Sequence, residues 1–98
     1  MQKSQDGGAQ LEIEIKISYK NEKLQALRLA AGLSQSQLAE ETGISVRMIQ
    51  KYEQGAKDLN GAKLHTLLKL CLALKCRLSD IVTEPEVIEL LRIYEEND

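Results

Sequence analysis

The sequence predicts an all-α domain: a bundle of five short helices, preceded by one β-strand and followed by one further short helix. From residue 21 onwards, apolar residues recur at helical spacing, whereas strict alternation occurs only in residues 11–20. The 98 residues suffice for one domain with a modest core. The aromatic residues are three Tyr, without Phe or Trp, so Leu, Ile, Val and Ala must fill that core. This composition favours small packed helices.

Two different segments precede the predicted bundle. Residues 1–10 are polar and contain a Gly-Gly pair, which is typical of a disordered lead-in. Residues 11–20 alternate apolar with polar side chains, which predicts a strand with one buried face. A lone strand leaves backbone groups unpaired. We hypothesise that it pairs with its own copy in a dimer, because a register centred on Ile15 sets Glu14 opposite Lys16. The alternative is that the strand folds back on its own molecule.

Three short helices are predicted between residues 21 and 55. Each begins after a residue whose side chain can cap a helix and ends at a glycine. Gln37 follows Ser34 by three residues, as a capping box requires. The predicted helices cover roughly residues 22–31, 35–42 and 46–53, with caps Asn21, Ser34 and Ser45 and with Gly32, Gly43 and Gly55 at their ends. Their expected core residues are Leu24, Leu27, Ala31, Leu38, Ala39, Ile49 and Tyr52.

Three more helical segments follow a predicted loop at residues 56–61. A fourth helix covers roughly residues 61–74, a short fifth turn lies in residues 77–82, and a last helix starts at Pro85. Acidic residues in the first turn of this last helix suit the helix dipole. The apolar positions of these segments are Leu64, Leu67, Leu68, Cys71, Leu74, Leu78, Ile81, Val87, Leu90, Leu91 and Tyr94.

Charge is distributed unevenly along the chain. The formal net charge is −2, which by itself argues against a nucleic-acid binder. However, residues 21–83 carry nine basic and six acidic residues, for +3, whereas residues 84–98 carry one basic and six acidic residues, for −5. The acidity therefore lies in the C-terminal segment, and the predicted bundle can present a basic face.

Composition and motifs exclude several classes of protein. The longest apolar run is far too short to span a membrane, and no secretory leader is visible, which predicts a cytoplasmic protein. Cys71 and Cys76 are expected to be reduced thiols, and with His65 as the single His they supply too few ligands for zinc. No nucleophile-and-base set, paired carboxylates or phosphate loop is present. We therefore predict neither catalysis, nor a metal, nor a cofactor.

The second and third predicted helices, joined by a tight glycine turn, form a helix-turn-helix unit. The stretch "GLSQSQLAEETGISVRMIQKYEQG", residues 32–55, resembles the DNA-binding domain of phage repressor and Cro-type transcription regulators, the XRE family. The resemblance covers about residues 22–82. It implies a lambda-repressor-like five-helix bundle that binds double-stranded operator DNA, usually as a homodimer.

Candidate site residues follow from the expected burial of Ile49 and Tyr52, which turns the opposite face of the third helix outward. That face matches the positions at which the family reads bases, and the start of the second helix matches a phosphate contact. The predicted base-reading residues are Val46, Arg47, Gln50 and Lys51, and the predicted phosphate-binding residues are Ser34, Gln35, Met48, Lys57 and Asn60. The alternative is that the outward residues form an ordinary solvated helix face.

The resemblance also implies a structural ion pair and exposes two departures. The family often pairs an Arg of the first helix with the Glu that closes the third, and Arg28 and Glu53 occupy these positions. Lys75 stands where the family often has a glycine after the fourth helix, so that turn must be made otherwise or under strain. Leu72 replaces a residue that is usually polar and can widen an apolar patch.

The favoured function is a sequence-specific transcriptional regulator, encoded by a bacterium or phage and associated with the nucleoid, which represses from an inverted-repeat operator as a dimer. The dimer can use the strand or the last helix. The alternative is an antitoxin whose acidic C-terminal helix binds a toxin protein. The predicted domain organisation is a lead-in at 1–10, a strand at 11–20, a DNA-binding domain at 21–83 and an acidic helix at 84–98.

Overall fold

The computed structural model describes residue 19 and residues 21–96. The lead-in and the strand predicted within the first twenty residues lie outside this part, except Tyr19, whose backbone N–H donates a 3.0 Å hydrogen bond to the carbonyl of Gly55. The helices in the described residues are α1 (Glu22–Ala30), α2 (Gln35–Thr42), α3 (Val46–Glu53), α4 (Leu64–Leu74), α5 (Leu78–Ile81) and α6 (Pro85–Glu96), with a 3₁₀ turn at Leu59–Gly61. The predicted all-α bundle is thereby confirmed.

One core joins these elements. α2 packs on α3 and α4, while α1 packs on α3 and α5. Each of the first five helices and the 3₁₀ turn contributes one large, fully buried side chain: Leu24, Leu38, Ile49, Leu59, Leu70 and Ile81. None of the short helices is stable alone, so their stability comes from this shared core. α6 contacts the core only through partly buried residues, namely Val87, Ile88 and Leu91.

The caps of α2 and α3 agree with the sequence prediction. The Ser34 hydroxyl accepts a hydrogen bond from the Gln37 N–H, and the Gln37 side chain accepts one from the Ser34 N–H, which confirms the capping box. The Ser45 hydroxyl likewise accepts from the Met48 N–H. These bonds fix where each helix of the helix-turn-helix unit begins.

Three predictions about the core were incomplete. The predicted loop contains Leu59, which is 1% exposed in the 3₁₀ turn. In α4 the buried positions are 67, 70, 71 and 74, so Leu68 lies on the neighbouring face and Leu64 lies at the exposed first turn. α6 packs through Ile88 beside Val87 and Leu91, leaving Leu90 and Tyr94 exposed. At 12 residues, α6 is also the longest of the described helices rather than a short one.

The end of α4 shows how the missing glycine is tolerated. Lys75 adopts the left-handed conformation, with φ 55° and ψ 49°, which costs a residue with a Cβ about 1 kcal/mol. The Lys75 and Cys76 N–H groups both donate to the Cys71 carbonyl, so the last turn is closed by hydrogen bonds. The predicted strain is therefore present at Lys75. Burial raises the pKa of the Cys71 thiol to about 12, which keeps it protonated near neutral pH.

Candidate nucleic-acid interface

The turn between α2 and α3 is short and internally bonded. Gly43 has a φ of +78°, a left-handed conformation that favours glycine, and its N–H donates to the Ala39 carbonyl at 2.8 Å. The Thr42 hydroxyl donates to the Leu38 carbonyl at 2.8 Å and accepts from the Ile44 N–H at 3.1 Å. These bonds set the angle at which α3 leaves α2.

The two faces of α3 differ sharply in exposure. Ile49 is 0% exposed and Tyr52 is 5% exposed, so both lie in the core. On the opposite face Arg47 and Gln50 are exposed, and Lys51 is half-buried. Val46, also half-buried, begins the helix next to them. The four predicted base-reading residues therefore lie together on or beside the outward face of α3.

A buried ion pair fixes α3 against α1. Arg28 Nε lies 2.6 Å from Glu53 Oε2, and Arg28 Nη2 donates to Glu53 Oε1 at 3.0 Å. The side chains are 8% and 3% exposed. Arg28 Nη1 also donates to the Leu33 carbonyl at 2.9 Å, and the hydrogen bond to Glu53 raises the pKa of Arg28. A two-bond pair of this kind holds one orientation of the helix rather than a range.

The ion pair continues towards the outward face through two amides. Gln35 Nε2 donates to Glu53 Oε1 at 2.9 Å, and Gln50 Nε2 approaches Gln35 Oε1 at 3.4 Å. Gln35 is therefore half-buried and held by the pair, while Gln50 is exposed. One chain of polar contacts thus connects α1, the start of α2 and the outward face of α3.

Asn21 fixes the other end of α3, a role that the sequence prediction missed. It was predicted to cap α1, but its side chain makes no capping hydrogen bond. Instead, Asn21 Nδ2 donates to the carbonyls of Tyr52 and Lys57, at 2.8 and 2.6 Å, and Asn21 Oδ1 accepts from the Leu59 N–H at 3.3 Å. The buried amide thus binds the Lys57 carbonyl and the Leu59 N–H just beyond α3, and it adds a second hydrogen bond to the Tyr52 carbonyl, which also accepts from the Gly55 N–H at 3.1 Å.

The predicted phosphate-binding residues are not equivalent. Ser34 and Lys57 are exposed, whereas Met48 is half-buried and packs against the core. Asn60 is committed elsewhere: its Nδ2 donates to Asp58 Oδ1 and to Thr83 Oγ1, and its Oδ1 accepts from the Thr83 N–H at 2.9 Å. This amide joins the 3₁₀ turn to the segment before α6, so its polar atoms are already hydrogen-bonded within the protein.

A surface cleft of about 410 Å³ lies between α3 and the start of α4. Met48 and Lys57 line it, together with Lys63 and His65, which the sequence prediction did not include. Little in the sequence indicated that these residues line a cleft, because a lysine before a helix is common. Only the tertiary structure sets them beside the end of α3.

Two further searches concern the described residues alone. No group of three or more His, Cys, Asp or Glu side chains at residue 19 or within residues 21–96 is arranged to hold a metal ion. Within the same residues, no helix is long and apolar enough to cross a membrane.

The helix-turn-helix family model matches residues 24–81, more than half of the chain. The protein therefore belongs to this family: it is a DNA-binding transcriptional regulator of the XRE or Cro/C1 type, with a lambda-repressor-like fold, and the family is not enzymatic. The resemblance inferred from residues 32–55 is confirmed.

Among solved structures, the chain is similar to the restriction-modification controller protein C.AhdI from Aeromonas hydrophila. The two are 32% identical, and the alignment covers 61% of this chain and 86% of that chain, with a TM-score of 0.55. No curated protein sequence matches the chain.

Proposed function

We propose that the protein binds an inverted-repeat operator as a homodimer and represses transcription by occupying it. The observation that carries this proposal is the polar outward face of α3, which is held in place by the Arg28–Glu53 pair behind it. A solvated helix face needs no such support, whereas a reading surface must present its side chains in one geometry. The similarity to a controller protein supports a regulatory role.

In the proposed complex, α3 enters the major groove. Arg47 donates two hydrogen bonds to guanine O6 and N7, and Gln50 pairs with adenine. Val46 contacts a thymine methyl group, and Lys51 binds guanine or an adjacent phosphate. The Gln35 amide, bonded to Glu53, lies 3.4 Å from Gln50 Nε2 and so favours one position of Gln50 before DNA arrives. Such preorganisation lowers the entropy cost of binding.

Phosphate contacts flank α3 at both ends. Ser34 and Gln35 lie at the N-terminus of α2, where backbone N–H groups and the helix dipole favour an anion. Lys57, Lys63 and His65 line the cleft at the other end. We place the second phosphate contact there, with Met48 as an apolar wall, and leave Asn60 out because its amide is bonded internally.

Two protomers then place their α3 helices in successive major grooves, about 34–36 Å apart. Bound in this way, the dimer covers an operator with two-fold symmetry and blocks polymerase. Phosphate contacts supply most of the affinity and make it fall steeply with salt, whereas the four α3 side chains supply the preference for sequence.

Selection of bound duplexes from a random pool tests the proposal. The expected product is an inverted repeat, against which variants are then measured. Arg47→Ala should relax the preference at one base pair of each half-site, at a cost of about 1–3 kcal/mol against the matched sequence. Arg77→Ala, which removes an arginine side chain that is 71% exposed at the start of α5, is the control and should leave the preference unchanged.

Two outcomes would contradict the proposal. One is a pool that yields no common sequence. The other is an Arg47→Ala protein that selects the same bases with the same affinity as the unmodified chain. A uniform loss of affinity for all sequences would place Arg47 on a phosphate and would remove it from the base-reading set.

A further inference from the structure

A row of exposed leucines runs along α4. Leu64, Leu68 and Leu72 are spaced by four residues, so they share one side of the helix. They are 62%, 43% and 78% exposed, although the neighbouring face of α4 is buried in the core. A row of large apolar side chains left in water is typical of a surface that another protein element covers.

A second apolar row lies on α6. Leu90, Ile93 and Tyr94 are 59%, 55% and 78% exposed, while Val87, Ile88 and Leu91 face the core. The apolar stripe of α6 is therefore wider than the part that its own bundle covers. An apolar stripe on a surface helix normally packs against another element.

The two rows carry opposite charge. From Lys63 to Lys75, the α4 region contains three lysines and no acidic residue, for +3. α6, from Pro85 to Glu96, contains four glutamates and one arginine, for −3. At least one charge lies next to each apolar row, because Lys69 follows Leu68 and Glu89 precedes Leu90, and both of these charged residues are exposed.

The rows also end near one another on the same molecule. Glu95, in the last turn of α6, accepts a hydrogen bond from the Ser79 hydroxyl at 2.9 Å and lies 3.7 Å from Arg77 Nη1. Arg77 and Ser79 lie just beyond the end of α4 in the sequence. The C-terminal end of α6 is therefore close to α5 and to the turn that ends α4.

We propose that these rows form the interface between two copies of this chain, with α4 of each protomer packed against α6 of its partner. This inference specifies the dimer contact and rests on the homodimer part of the proposed function. Charge decides among the possible pairings. α4 against α4 brings +3 to +3, and α6 against α6 brings −3 to −3, whereas α4 against α6 is complementary twice in a two-fold dimer.

Molar mass in solution, measured without DNA, tests the interface. The unmodified chain should have twice the monomer mass of 11.0 kDa. Leu68→Gln with Leu72→Gln should raise the dimer dissociation constant at least about tenfold. Leu29→Gln is the matched control, because Leu29 is 61% exposed on α1, outside both rows, and it should leave the dimer intact.

A charge-inversion pair identifies which helices meet. Lys69→Glu with Lys75→Glu changes the α4 region to −1, and Glu86→Lys with Glu89→Lys changes α6 to +1. Each variant alone should be monomeric, since it brings like charges together, and an equimolar mixture should form the heterodimer. Circular dichroism on each variant shows that its helices are retained.

Three outcomes overturn the interface: an unmodified chain that is monomeric, a leucine variant that stays dimeric, or a lysine variant that still dimerises with its own copy. A dimer that survives the leucine substitutions but is lost when residues 1–20 are deleted assigns the contact to the N-terminal segment instead. Because no DNA is present, a failure here leaves the DNA-binding proposal to be judged by duplex selection alone.

Discussion

The outward faces of α3 and α4 are both turned to solvent, but their chemistry is opposite. α3 exposes Arg47 and Gln50, with Lys51 beside them, whereas α4 exposes Leu64, Leu68 and Leu72. Each helix also has a buried face, formed by Ile49 and Tyr52 in α3 and by three leucines and Cys71 in α4. The buried faces therefore show only that both helices belong to the same core. The two helices differ in their exposed faces.

This difference is the one that the two proposed roles require. A DNA groove presents phosphates and hydrogen-bonding base edges, so the face that meets it must be polar and held in one geometry. A protein interface requires an apolar centre. The polar face has a network of bonds behind it, from Arg28 through Glu53 to Gln35.

The largest expected effect comes from removing the support of the polar face. Glu53→Ala leaves the Arg28 guanidinium buried without its partner, and this should lower the free energy of unfolding by about 3–5 kcal/mol. Urea denaturation measures the loss. DNA affinity should fall as well, because Gln35 loses its bond to Glu53 and Gln50 loses its fixed neighbour.

The control for Glu53→Ala is a second ion pair, in which one of the two side chains is exposed to solvent. Arg77 lies 3.7 Å from Glu95, but the arginine side chain is 71% exposed. Arg77→Ala should therefore cost less than about 1 kcal/mol. Equal losses in the two variants would show that the buried pair does not specifically support α3.

A smaller effect is expected at the other end of α3. Asn21→Ala removes the hydrogen bonds that its amide makes to the Leu59 N–H and to the carbonyls of Tyr52 and Lys57, at a cost of about 1–3 kcal/mol in the free energy of unfolding. Thermal unfolding provides the measurement. Gln25→Ala, an exposed amide on the same helix, is the matched control and should change stability by less than about 0.5 kcal/mol.

The smallest effect concerns the end of α4 and has the opposite sign. Lys75→Gly removes a Cβ from a left-handed residue and should stabilise the protein by up to about 1 kcal/mol. Lys69→Gly, in the interior of the same helix, should destabilise it by about 0.5–1 kcal/mol. If both substitutions destabilise, the left-handed conformation of Lys75 carries no strain that glycine relieves.

Much of the site could be predicted from local signals. Ser34, Gln37, Gly43 and Ser45 act through neighbours three or four residues away, so their spacing was sufficient to define α2 and α3. The Arg28–Glu53 pair was expected only because of a family resemblance, since nothing local joins residues so far apart. Asn21 was placed correctly at the start of α1, but its role depends on residues 31 to 38 positions away, which no local pattern encodes.

The features that the sequence predicted differ from those that only the structure showed in the range of the interactions that produce them. Helical periodicity, caps and glycine turns act within one or two turns of chain, so the sequence by itself determined the helices and the inward side of α3. Packing decides exposure, and packing needs every neighbour in place. Only the tertiary structure therefore showed that Asn60 is bonded internally, that Lys63 and His65 lie beside α3, and that Leu68 and Leu90 remain uncovered.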